Sequence, residues 1–128
     1  MEFTGGCLCG AVRYRATGPL GDVIGCHCTQ CRRQTGHFSA DTSVPLDRFQ
    51  FDREAALAWY RSSDTVERGF CRVCGSALFW KRAGDPEIFI GAGSLDGPTG
   101  LTISHHIFCK DKGDYYEICD GRPQKLEW

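Results

Sequence analysis

No stretch of this 128-residue sequence stays apolar for anything near the roughly 20 residues that a membrane-crossing helix needs, so no membrane partner is expected. An excess of charge of one sign is also missing: 15 Lys and Arg stand against 16 Asp and Glu, with a net charge of −1 and a pI near 6.4. Binding a polyanion requires basic residues gathered on one face, and nucleic acid is therefore not an expected partner. The sequence opens MEFTGGCLCG, without a basic and apolar leader, and carries no legible lipidation or retention signal. A soluble, reducing, cytoplasmic setting is the expectation. Long amphipathic helical stretches, internal repeats, low-complexity tracts and extended linkers are absent as well, and residues 1–128 read as a single domain with one core of ordinary size.

Glycine, by contrast, is plentiful: 16 residues are scattered along the chain, which suits many short strands joined by turns. Val12, Tyr14 and Ala16 alternate with Arg13 and Arg15, the period-two signature of a half-buried strand. Segments 38–44, 59–60, 77–80 and 87–90 read the same way. Segments 29–36 and 52–58 are each expected to form no more than a helical turn, being too short for an independent amphipathic helix. Near the end, segments 104–109 and 115–119 flank a polar stretch containing Gly113, a pattern that predicts a hairpin. The expected fold class is mainly β, with little helix.

Nine cysteines are present, and seven of them fall into three tight groups: Cys7-Leu8-Cys9, then Cys26-His27-Cys28-Thr29-Gln30-Cys31, then Cys71-Arg72-Val73-Cys74. An odd count in a chain with no other sign of secretion speaks against a disulfide framework. Thiolates in pairs and triplets point to metal coordination instead. A structural zinc site takes four protein ligands, whereas a reactive one takes three and keeps a position open. Cys7 and Cys9 alternate so that an extended segment presents both sulfurs on one side. Cys71-x-x-Cys74-Gly75 is a knuckle whose exit needs the freedom of glycine. Joined around one zinc, Cys7, Cys9, Cys71 and Cys74 form a closed structural site that contributes to folding. A redox reading of the C-x-x-C motif would need a βαβ context, which is missing.

Cys26, Cys28 and Cys31 differ in kind, since three thiolates from six residues can converge on one ion and leave its fourth position vacant. A closed version, with His27, His37 or another side chain as fourth ligand, is the alternative. Three thiolates on one divalent ion leave a net charge near −1, a poor activator of water but a good holder of soft sulfur. An incoming thiol held there stays nucleophilic, which points to thiol chemistry with a small electrophile.

Four segments, Gly6-Cys7-Leu8-Cys9-Gly10-Ala11-Val12, Cys26-His27-Cys28-Thr29-Gln30-Cys31-Arg32, Arg68-Gly69-Phe70-Cys71-Arg72-Val73-Cys74-Gly75-Ser76 and Ala92-Gly93-Ser94-Leu95-Asp96, resemble the glutathione-dependent formaldehyde-activating enzyme family, which also includes centromere protein V-like proteins. The resemblance implies a zinc-stabilised β-tent of short twisted antiparallel sheets, a structural zinc on Cys7, Cys9, Cys71 and Cys74, and a catalytic zinc on Cys26, Cys28 and Cys31. The activity it implies is condensation of formaldehyde with glutathione to S-hydroxymethylglutathione, a carbon–sulfur lyase chemistry. The chain departs from the family in carrying Tyr115-Tyr116 where a Trp is usual.

With a glutathione-like thiol and a small aldehyde as partners, His27 and His37 are the candidate proton donors. Arg32 and Arg33, beside the triplet, are candidates to clamp a carboxylate. Ser94 and Asp96 either line the pocket or belong to a plain turn, and Cys109 and Cys119 read as buried small apolar residues. Two other functions fit the same cysteines: a non-catalytic zinc-stabilised module that binds a protein, and a sensor that releases zinc when its thiols are oxidised.

Overall fold

The computed structural model describes residues 1–128 and is mainly β, with one short helix, as a β-tent requires. Its strands are β1 (Glu2–Gly6), β2 (Arg13–Thr17), β3 (Val23–Cys26), β4 (Ser39–Pro45), β5 (Phe49–Arg53), β6 (Leu57–Arg61), β7 (Val66–Cys71), β8 (Ala77–Arg82), β9 (Glu87–Gly91) and β10 (Ile103–Ile107), and helix α1 is Thr29–Thr35. They make a three-stranded sheet, β1-β2-β5, and a seven-stranded one, β10-β3-β4-β9-β8-β7-β6. All neighbours are antiparallel except β10 and β3, which pair in parallel.

Alternation along the strands decides what each face does. On one face of the large sheet Val44, Ile88, Ile90 and Phe79 meet Tyr14 and Ala16 from the small sheet and Val12 just before β2, and all seven are buried. Tyr14 anchors this core: its ring stacks on Phe49 and meets Phe79 edge-on, while its hydroxyl lies 2.6 Å from Ser94 Oγ. Gly5 must lack a side chain, because a Cβ there would sit 2.4 Å from the Tyr14 hydroxyl. The residues that point the other way, Asp41, Phe89 and Trp80, line a cavity on the opposite face.

Two local expectations need correction. Segment 104–109 does not form a hairpin with 115–119. β10 instead lies beside β3, and the tail folds back along β10 through bonds such as Lys125 N–H to His106 O (2.9 Å) and Phe108 N–H to Glu127 O (2.7 Å). The polar segment with Gly113 can turn, but the apolar face of β10 finds a better partner in a strand 80 residues earlier. Segment 52–58, by contrast, is a turn on the β scaffold, closed by Leu57 N–H to Glu54 O (3.0 Å) between β5 and β6. Cys119 is exposed and Cys109 only half-buried, so neither is a core residue.

Candidate metal centre and active site

Two turns build the first sulfur cluster. Cys7 and Cys9 do not lie in an extended strand. They sit in a turn after β1, closed by Gly10 N–H to Cys7 O (3.2 Å) with Gly10 at φ +81°. The knuckle after β7 repeats the device, with Gly75 N–H bonded to Cys71 O (2.8 Å) and Gly75 at φ +82°. Only glycine adopts that left-handed conformation without penalty. Together the turns bring the sulfurs of Cys7, Cys9, Cys71 and Cys74 within 4.8 Å of one another.

The spacing suits an ion. Tetrahedral thiolate bonds of about 2.3 Å place sulfurs about 3.8 Å apart, and Cys7–Cys9 and Cys9–Cys71 stand at 3.6 and 3.8 Å. Donors surround the sulfurs as they do around thiolates: Val12 N–H reaches Cys7 Sγ at 3.2 Å, and Val73 and Cys74 N–H reach Cys71 Sγ at 3.4 and 3.5 Å. The Ser76 hydroxyl, 3.2 Å from Cys74 Sγ, draws that thiol down to about 5. All nine cysteines are free thiols.

The second cluster forms where β3 runs into α1. Cys26 ends the strand, and Cys28 caps the helix by accepting Cys31 N–H at 3.3 Å. Cys31, the buried residue of α1, returns to them after one turn. The helix then stops at Gly36, which is left-handed at φ +84° and donates to Arg32 O. The three sulfurs lie within 4.8 Å of one another, and no fourth His, Cys, Asp or Glu joins the group. Sulfurs this close cannot all ionise unless a cation offsets their repulsion. Hydrogen bonds from Cys26 and Cys31 hold Cys28 far below the ordinary thiol range, and its charge in turn pushes Cys26 far up. Ser39 Oγ, on the residue paired with Cys26 across the sheet, is buried without a hydrogen-bond partner. A hydroxyl orphaned beside three sulfurs fits a site whose charge it can solvate.

His27 points away from the sulfurs, as an extended backbone between them dictates. It is buried and spans a chain of hydrogen bonds: Tyr116 hydroxyl to His27 Nδ1 (2.6 Å), His27 Nε2 to His106 Nδ1 (2.9 Å), and His106 Nε2 to Asp120 (2.7 Å). An ionised carboxylate only accepts, so His106 donates to Asp120, His27 donates to His106, and Tyr116 donates to His27. Burial, with His106 next, lowers His27 to about 4. His37 is exposed, 2.8 Å from the Tyr115 hydroxyl. Neither histidine lines the cavity beside the triplet, and neither do Arg32 and Arg33. Ser94 bonds Gly91 O and Tyr14, and Asp96 pairs with Arg13 and Thr4, so this stretch clamps the small sheet to the large one.

That cavity encloses about 340 Å³ and carries Cys26, Cys28 and Cys31 on its wall. Asp41, His105, Arg68 and Arg82 are the other ionisable groups there, and Asp41 and His105 stand level with each other across β4, β3 and β10 through the pairs Asp41–Ile24 and Ile24–His105. Burial raises Asp41 to about 6 against the charge of Arg68. Arg68 is buried and donates to Gln34 (3.1 Å), Gln30 (3.3 Å), the Ser62 hydroxyl (3.2 Å) and Cys31 Sγ (3.5 Å). Among these partners only the sulfur can carry a full negative charge, and a buried guanidinium needs one. Thirty-seven positions separate Arg68 from Cys31, which is why composition and spacing around the triplet do not reveal it. The available signal is its place three residues before Cys71, in one of the segments that carry the family resemblance.

Arg68→Met is expected to weaken metal retention at the triplet roughly 10- to 100-fold, the usual effect of deleting an outer-shell partner, while Arg68→Lys keeps part of it. Competition with a chromophoric chelator measures this, and equal retention in wild type and Arg68→Met would show that the arginine does not serve the sulfurs.

The glutathione-dependent formaldehyde-activating enzyme family model matches residues 2–111, and the chain belongs to that family. It is 28% identical over 126 residues to an uncharacterised lyase of Schizosaccharomyces pombe, covering 93% of this chain and 87% of that protein. It is 29% identical over 129 residues to a Halomonas elongata protein whose name assigns it provisionally as a glutathione-dependent formaldehyde-activating enzyme, covering 92% and 82%. The crystal structure of a Rhodobacter sphaeroides protein superposes with a TM-score of 0.61 at 31% identity, covering 74% of this chain and 89% of that one.

Proposed function

We propose that this chain is a zinc-dependent carbon–sulfur lyase-type enzyme that joins a thiol to a small aldehyde and releases it again, with glutathione and formaldehyde as the first pair to test. The observation that carries the reading is the position of Cys26, Cys28 and Cys31, three sulfurs without a fourth protein ligand, on the wall of a cavity large enough for a small substrate. The family and the names of the relatives support the same chemistry. Zinc held by the three sulfurs supplies a soft cation that keeps a substrate thiol deprotonated without oxidising it. Cys7, Cys9, Cys71 and Cys74 hold the structural ion.

The protein's own groups do the rest. Arg68 offsets the negative charge of the sulfurs, and the unpartnered Ser39 hydroxyl is available to solvate them. When a sulfur adds to a carbonyl carbon, the oxygen becomes basic and takes a proton. Asp41 faces the cavity and, at about 6, keeps a transferable proton near neutral pH; in the reverse direction it accepts one. His27, with both ring nitrogens engaged, positions the backbone between Cys26 and Cys28 and does not exchange protons with substrate. Arg82, on the cavity wall, replaces Arg32 and Arg33 as the guanidinium placed to meet a substrate carboxylate.

Exchange spectroscopy tests the reading, since the protein should speed interconversion of formaldehyde and S-hydroxymethylglutathione above the uncatalysed rate. No acceleration by the zinc-loaded protein would contradict it. Adduct formation needs Asp41 protonated, so its rate should fall as pH rises through about 6, with breakdown showing the opposite slope. In Asp41→Asn that inflection should vanish and the rate should drop about 100-fold or more, the usual size of a general acid–base contribution. An unchanged pH profile in the variant would assign the proton to another group.

A further inference from the structure

The cavity has two unlike kinds of lining. One is polar: the three sulfurs, Asp41 and Arg68. The other is aromatic: Trp80, in register with Arg68 across β7 and β8, pairs with Phe89 across β8 and β9, and their rings meet edge-on at 5.3 Å. Phe108 and Trp128 add a second aromatic pair, 5.0 Å apart and edge-on. Phe108 holds a left-handed backbone, φ 54° and ψ 37°, which a bulky residue rarely adopts, and strain of this kind gathers at ligand sites. The Arg82 guanidinium lies over both indoles, 5.3 Å from Trp80 and 5.5 Å from Trp128, and joins the two halves of the wall.

Formaldehyde contributes one carbon to an adduct, and glutathione is polar along most of its length. Neither has a group that fills an aromatic wall of this extent. From that mismatch we infer that the site selects thiol–aldehyde adducts bearing an apolar, above all aromatic, substituent, which packs against Trp80, Phe89, Phe108 and Trp128 while the reacting sulfur sits at the three cysteines. The inference rests on the lyase-type reading of the same site. The reaction is R–SH + R′CHO → R–S–CH(OH)R′: a C–S bond forms, the carbonyl π bond breaks, and the thiol proton ends on oxygen, so neither oxidant nor reductant is consumed. The substituent can enter on the aldehyde or on the thiol.

Three pairs given to the zinc-loaded full chain separate these cases: glutathione with formaldehyde, glutathione with phenylacetaldehyde, and 2-phenylethanethiol with formaldehyde. Burying a phenyl group should raise kcat/KM over the first pair roughly 10- to 100-fold in the second, the third or both, and the arm that gains identifies the side that carries the group. Trp80 and Trp128 provide an independent reading, since 2-phenylethanethiol should quench their fluorescence at concentrations at least about tenfold below those needed for 2-mercaptoethanol. Phe89→Ala should erase most of the discrimination, and Trp128→Ala, a change at an exposed residue outside the buried core, should erase part of it. Acceleration of all three pairs to the same degree would overturn the inference and leave the lyase-type reading standing. Acceleration of none would remove both.

Discussion

Cys28→Ser is expected to lower the metal content from two ions per chain to one and to abolish acceleration of thiol–aldehyde exchange, while the protein keeps its fold. The sulfur of Cys28 is central to the triplet: it is the group held as thiolate by Cys26 and Cys31, and it also caps α1. Serine can still cap a helix, so α1 survives, but an alcohol does not replace a thiolate on a soft ion. The triplet draws its ligands from six consecutive residues and ties no distant parts of the chain together, so its loss costs little folding free energy. Elemental analysis with circular dichroism checks both halves. Two ions retained, or activity retained with one, would show that the triplet is not the reactive centre.

Cys71→Ala should have the opposite character and the larger effect on stability. Cys71 is fully buried at the end of β7, and its sulfur stands 3.8 Å from Cys9, across 62 positions of sequence. An ion shared by Cys7, Cys9, Cys71 and Cys74 links the small sheet to the large one. Structural zinc sites contribute on the order of 10 kcal/mol of apparent folding free energy, comparable with the whole stability of an ordinary domain. Removing one ligand should therefore abolish cooperative thermal unfolding, and a strong chelator should do the same to the wild type. A Cys71→Ala protein that melts cooperatively within a few degrees of the wild type would refute the structural role of this site.

Local features of the fold were legible because they depend on near neighbours. The alternation of Val12, Tyr14 and Ala16 with Arg13 and Arg15 predicts β2, and all three apolar side chains are buried. The cysteine groups are equally local, since two glycine-closed turns and one capped helical turn determine where the sulfurs point. What escaped reading depends on register between distant strands. The parallel pairing of β10 with β3 brings His105 level with Ile24 and Asp41, and no short-range pattern encodes it. The same pairing separates His105, on the cavity side, from its neighbour His106, buried against His27. Proximity in sequence to the cysteines made His27, His37, Arg32 and Arg33 the natural candidates, whereas the residues that line the cavity beside the triplet include Asp41, Arg68 and Arg82, which strand pairing brings there.

The central claim is that the ion on Cys26, Cys28 and Cys31 keeps a position for a substrate sulfur, and zinc X-ray absorption on the fully loaded protein tests it most directly. With one closed and one three-sulfur site, the mean sulfur coordination should be about 3.5 per zinc and should rise to about 4 on adding thiol. A value of 4 before thiol is added, or one that thiol leaves unchanged, would contradict the account.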